Sequence, residues 1–143
     1  MKWLLDTNTL SELTKPQPHP GLLEWLEANE AESALSAISI GEMVLGIERL
    51  PEGKKRRRLE RALKFLREDY AGKILDFSEG AAVEWGRLVA WAQGQGRNLP
   101  VLDSQIEAIA VHFGLTVVTR KHADFFHAVF DPWEPQAWSG DAT

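Results

Sequence analysis

Not one of the 143 residues is a cysteine. Disulfides and thiolate-bound metal sites are therefore excluded, and a reducing, cytoplasmic setting is expected. Long apolar runs are missing too. No stretch approaches the roughly 20 apolar residues of a membrane-crossing helix, and the opening run Trp3-Leu4-Leu5 is far too short for a signal peptide. There is no Gly-rich phosphate loop and no Gly-x-Ser-x-Gly elbow, which argues against P-loop nucleotide hydrolysis and serine esterase chemistry. His19, His112, His122 and His127 lack the spacing of a zinc site. A basic excess is also absent. The formal net charge of −5 has the wrong sign for a simple coat on nucleic acid.

What is present fits one globular domain over 1–143, with a less regular tail over 131–143. Hydrophobic residues make up 44% and charged residues 26%, enough of each for a covered core and a solvated surface. Strand and helix patterns alternate. The apolar run at 3–5 reads as a strand, followed by a helix over 7–13 with Thr7 as its N-cap. A proline-broken loop fills 15–20. A helix over 21–30 carries Leu22, Leu23 and Leu26 as its apolar stripe, and 33–36 is a weak strand. Helices over 38–50 and 54–70 repeat apolar residues at helical spacing, Ile40, Val44 and Ile47 in the first, Leu59, Leu63, Leu66 and Tyr70 in the second. A strand at 74–77 leads to a helix capped by Ser78. The next helix opens at Val101 or Leu102 and closes at Gly114, a C′ glycine. The 116–119 run is the clearest strand by composition. Asp124 borders a short helix, and Val129-Phe130 is a last short strand. Such alternation implies right-handed βαβ units and a small, mainly parallel sheet covered by helices.

Four acids stand where apolar residues are expected. Asp6 ends the first strand, and ligands of open α/β sheets bind beyond the carboxyl ends of strands. Glu42 lies near the start of its helix, Asp103 in the first turn of another, and Asp124 five residues beyond Thr119. Any one alone reads best as a helix cap or a solvated side chain. Together they read differently. Asp6 and Asp103 border very apolar segments, where a lone carboxylate is costly. Several carboxylates in one place repel and raise each other's pKa. A divalent cation removes that penalty, and Mg²⁺ or Mn²⁺ takes oxygen ligands and phosphate together. Metal-assisted phosphodiester hydrolysis is the matching chemistry. An acidic phosphatase is the weaker reading, because no Asp-x-Asp nucleophile motif is present.

These residues resemble the PIN-domain ribonucleases, and most of all the VapC-type, FitB-like toxins of toxin–antitoxin pairs. The resemblance runs through Leu4-Leu5-Asp6-Thr7-Asn8, Ser36-Ala37-Ile38-Ser39-Ile40-Gly41-Glu42 with Gly46-Ile47, and Leu102-Asp103-Ser104-Gln105-Ile106-Glu107-Ala108. It closes at Val118-Thr119-Arg120-Lys121-His122-Ala123-Asp124-Phe125. It implies a three-layer α/β/α sandwich around a five-stranded parallel sheet. It implies Asp6, Glu42, Asp103 and Asp124 as the catalytic, metal-binding quartet, supported by Thr7, Asn8 and Thr119. It also implies an RNA substrate, a Mg²⁺ or Mn²⁺ cofactor, a homodimer and a cognate antitoxin. The alternative is a catalytically weakened PIN-like module that binds RNA or protein.

Two positions depart from the family's pattern. Lys121 stands where an asparagine is usual, and could balance the site's charge, contact a phosphate or point away. Glu107 replaces a small residue one helical turn after Asp103, and is expected on the surface rather than as a fifth acid. The basic run that starts the 54–70 helix is expected to be a solvated face. Its Lys54, Arg57, Arg58 and Arg61 are the candidate phosphate contacts.

Overall fold

The structure is a computed structural model and describes residues 1–126 and 129–132. Trp133 and Trp138 of the tail lie outside the described residues. Five short strands form one sheet, β1 (Trp3–Leu5), β2 (Ser33–Ser36), β3 (Ile74–Leu75), β4 (Thr116–Val118) and β5 (Val129–Phe130). Their order is β3-β2-β1-β4-β5, and each neighbouring pair is parallel. The helices are α1 (Thr7–Leu13), α2 (Pro20–Asn29), α3 (Ala37–Glu48), α4 (Lys54–Asp69), α5 (Glu79–Gly94) and α6 (Val101–Phe113).

Strand alternation divides the core in two. Trp3, Leu5, Leu35, Val118 and Phe130 face one side, where they pack with Leu10, Met43, Ile47, Leu63 and Tyr70 from α1, α3 and α4. Leu4, Ala34 and Val117 face the other, against Ala81, Ile106, Ile109 and Ala110 of α5 and α6. Side chains of successive strand residues point to opposite faces, so a two-sided apolar strand must be covered twice. The result is the three-layer sandwich. The α5–α6 pair is close because Gly80 has no side chain; a Cβ there would run into the His112 ring. Gly114 ends α6 in the left-handed region at φ 69°, as a C′ glycine does.

Most elements fall where the sequence pattern places them, with two differences of face and one exposed tryptophan. On α2 Leu22 is buried but Leu23 is exposed. On α3 the buried positions are Ser39, Met43 and Ile47, while Val44 is exposed. Trp91 of α5 is also exposed, its ring edge-on to Phe126. In each case an apolar residue one position off the true stripe is indistinguishable by spacing alone.

Candidate active site

The centre of the sheet defines the site. From β1 the chain moves to β2 on one side, and β4 lies on the other, so the order reverses between β1 and β4. A crevice opens at such a switch point beyond the carboxyl ends of the strands. Asp6 follows β1 directly and is 1% exposed. Its backbone N–H donates to Val118 O at 3.1 Å. Its side chain, not that of Thr7, is the N-cap of α1 and accepts from Thr9 N at 2.8 Å. The cap reading of Asp6 is thus correct, and it accounts for only part of the carboxylate. Burial raises its pKa; hydrogen bonds from Thr119 and Thr9 and the nearby Lys121 ammonium pull the other way.

Glu42 is brought to the same edge by α3. Ser36, the last residue of β2, caps α3 by accepting from Ser39 N at 3.0 Å. The hydroxyls of Ser36 and Ser39 pair at 3.1 Å, and those of Ser39 and Thr7 at 2.8 Å. Thr7 Oγ1 then donates to Glu42 Oε1 at 2.7 Å. An ionised carboxylate only accepts, so Thr7 gives its one proton to Glu42 and must receive one from Ser39. This hydroxyl chain orients Glu42. Ser36 and Ser39 are not among the residues expected at the site, although a serine three residues after a capping serine is a legible signal.

Asp103 sits half-buried in the first turn of α6. The helix N-terminus favours its charge by only about 0.3–1 kcal/mol, and the opposing influences win. Its carboxyl is pushed up to about 6, first by burial, with Asp124, Glu42 and Asp6 adding repulsion and the Lys121 ammonium opposing it. Asp124, Glu42 and Asp6 are thus all near enough to Asp103 to act on its charge. Thr119 is buried beside Asp6, donating to it and accepting from Lys121 N at 2.9 Å. The Lys121 ammonium lowers both Asp6 and Asp103. Asn8 is half-buried beside this edge.

Glu107 is not on the surface. It is fully buried, and its Oε2 accepts from Phe126 N at 2.7 Å. Arg97 reaches the same segment from the other side. Its Nη2 donates to Ala123 O at 2.9 Å and Phe125 O at 3.2 Å, and its guanidinium lies over the Phe126 ring. The segment that carries Asp124 is thus held from α6 and from the α5–α6 connection. Nothing in the local sequence of Arg97 signals this role. Glu107→Ala removes a buried acceptor and leaves a void, and is expected to cost about 2–4 kcal/mol of stability. Glu107→Gln, which keeps an acceptor, should cost clearly less in chemical denaturation.

The donor set is all oxygen, without cysteine or a described histidine, which is the set hard cations prefer. Among the described residues no three such side chains form a ready-made cage. That is compatible with Mg²⁺, which keeps several of its waters and uses few direct carboxylates. The oxygen-only chemistry of this donor set fits a hard cation, which would also relieve the repulsion that adds to burial at Asp103.

The geometry agrees with the kinship of the chain. The PIN domain model matches residues 3–129, and the chain belongs to the PIN-domain family. It is similar to the toxin FitB of Neisseria gonorrhoeae, with 38% identity covering 91% of this chain and 97% of that one. The crystal structure of FitAcB from the same organism superposes with a TM-score of 0.84, at 37% identity, covering 92% of this chain and 98% of that one. The chain is also similar to the VapC ribonuclease Y4jK of Sinorhizobium fredii, 35% identical over 92% of this chain and 98% of that one. A toxin–antitoxin complex from Klebsiella pneumoniae superposes with a TM-score of 0.69 at 26% identity, covering 92% and 98% of the two chains.

Proposed function

We propose that this protein is a divalent-metal-dependent endoribonuclease that acts as the toxin of a toxin–antitoxin pair. The observation that carries the reading is the carboxylate of Asp6, buried at the carboxyl end of β1 in a chain that the PIN domain model matches over residues 3–129. Kinship with a toxin and a VapC ribonuclease supports it. The cognate antitoxin, a homodimeric state and RNA as substrate are parts of the same proposal. A single domain over 1–143 is part of the same proposal, and the family match covers 3–129 of it. No helix among the described residues is long and apolar enough to cross a membrane.

Asp6, Glu42, Asp103 and Asp124 would hold Mg²⁺ or Mn²⁺, which when bound would supply Lewis-acid stabilisation of the phosphoryl oxygens and lower the pKa of water at the site. Thr7, supplied with a proton by Ser39, keeps Glu42 turned to the site. Thr119 fixes Asp6, and Lys121 limits the surplus negative charge that would repel an approaching phosphate. The capping bond to Thr9 N immobilises the Asp6 side chain before any ligand arrives, so little ordering is left to be done on binding. Hydrolysis by water leaves a 5′-phosphate and a 3′-hydroxyl.

The test is to incubate purified protein with RNA and Mn²⁺ and analyse the ends. Fragments with 3′-hydroxyls that a ligase joins directly are expected. Ends bearing 2′,3′-cyclic phosphate would show attack by the ribose 2′-hydroxyl and overturn the mechanism. A second reading draws on Lys121, which partly neutralises the acids: a catalytically weakened PIN-like module that binds RNA or protein. RNA binding without any cleavage would favour it.

A further inference from the structure

A cavity of about 460 Å³ opens directly beside Glu42 and Thr7, between α1, α3 and α4. Its size lies within the range of sites that enclose a small molecule, about 300–1,000 Å³. Met43, Ile47 and Leu59 supply an apolar wall and Lys55 and Arg58 its cations, while Lys15, also in the lining, pairs with Glu12 at 2.8 Å. Arg58 is fixed there, because its Nη1 donates to Thr14 O at 2.7 Å. Of the four basic residues expected to meet phosphates, only Arg58 lines this cavity; Lys54, Arg57 and Arg61 are exposed on other parts of α4.

Gly46 also lines the cavity, and a Cβ built on it meets nothing within 4 Å. No packing contact requires a glycine at that position. Glycine inside a helix costs about 1 kcal/mol relative to alanine, so the lack of a side chain at Gly46 has a local cost and keeps the space open.

We propose that this cavity is the subsite for one unpaired nucleotide of the RNA, next to the phosphodiester that is cut. The inference rests on the ribonuclease reading and adds the residues that select the substrate. An apolar wall with a polarisable methionine suits the face of a base. The cations suit a neighbouring phosphate, and the acidic end meets the scissile one. A base held in a duplex has its faces covered by stacking and cannot enter, whereas bases of loops and single strands are free to splay out.

Gly46→Leu places a side chain into the cavity from a Cβ with no neighbour within 4 Å and is expected to melt no lower than the wild type. Binding of a short unpaired oligoribonucleotide is followed by fluorescence anisotropy in Ca²⁺. Gly46→Leu should weaken it about tenfold, the worth of one buried apolar surface of base size. Lys55→Ala should lower the dependence of log affinity on log salt by about 0.7, one phosphate contact on a single strand. A blunt, fully paired duplex should bind both variants with much smaller losses. Equal affinity of wild type and a folded Gly46→Leu overturns the proposal, as does an equal loss on the duplex or no RNA binding by the wild type. RNA affinity retained while a co-purifying protein is lost overturns it in favour of a protein segment as occupant. Hydrolysis of bis(4-nitrophenyl) phosphate by the wild type with Mn²⁺ reports on the acidic centre alone. Its failure counts against the ribonuclease reading and leaves the binding comparison standing.

Discussion

Asp103→Asn is expected to lower metal-dependent RNA cleavage by about a thousandfold, the scale of losing several kcal/mol of transition-state stabilisation at 1.36 kcal/mol per decade. Asp6→Asn should do the same. The substitutions are close to isosteric, and the amide oxygen of Asp6→Asn can still accept from Thr9 N. What they remove is charge. A cation held by a few carboxylates and its own waters loses a large share of its attraction when one carboxylate becomes neutral. Thr7→Val should have a smaller effect, because it deprives Glu42 of an orienting donor without removing a negative group; hydrogen-bond partners that orient metal ligands are worth about 10–100-fold. Cleavage at the wild-type rate by Asp103→Asn would remove Asp103 from the catalytic machinery.

The same substitution should act on stability in opposite directions with and without metal. The Asp103 carboxyl is raised to about 6 in the folded chain, so the folded state binds its proton more tightly than the unfolded state does. That contribution to stability is full below the ordinary carboxylate pKa, declines as pH rises through about 6, and is replaced by a cost at neutral pH. Two units are nominally about 3 kcal/mol. Asp103 is half-exposed, and solvent screening brings this to about 1–2 kcal/mol. Metal-free Asp103→Asn should therefore melt about 4 °C above the wild type at pH 7, with the gap closing towards pH 4. Saturating Mn²⁺, at a hundred times its dissociation constant, adds about 2.7 kcal/mol to the wild type, or about 8 °C, and nothing to the variant. The two proteins should exchange rank when metal is added. Melting curves that keep the same order in both conditions would show that the acidic cluster is not the metal's site.

Much of this site is legible in the amino-acid sequence. Asp6 and Asp103 stand at a junction and in a first turn, where local pattern is strong, and Glu42 follows in the second turn of its helix. Their mutual influence follows from parallel strands that deliver their ends to one edge. Glu107 is misplaced by the sequence pattern for a definable reason. Helical spacing puts it on the face of Asp103, and a charged residue there reads as solvated. The pattern does not show that the 123–126 segment folds back over that turn, so that Phe126 N needs an acceptor inside the protein. Arg97 is invisible for the same reason, since its partners are backbone carbonyls 26 and 28 residues away. The basic run of α4 reads as one face, yet Lys55 and Arg58 line the cavity while Arg56 pairs with Glu48 at 3.1 Å. The order of charges along a helix fixes neither which side chains turn inward nor which are already neutralised.

Cleavage of an end-labelled RNA by the wild-type protein, followed with Mn²⁺ and again in excess EDTA, addresses the central claim most directly. With metal, discrete fragments should accumulate; in EDTA the RNA should remain intact, and Mn²⁺ added beyond the chelator should restore cutting. Cleavage that continues undiminished in EDTA would contradict an account in which four carboxylates act by holding a divalent ion.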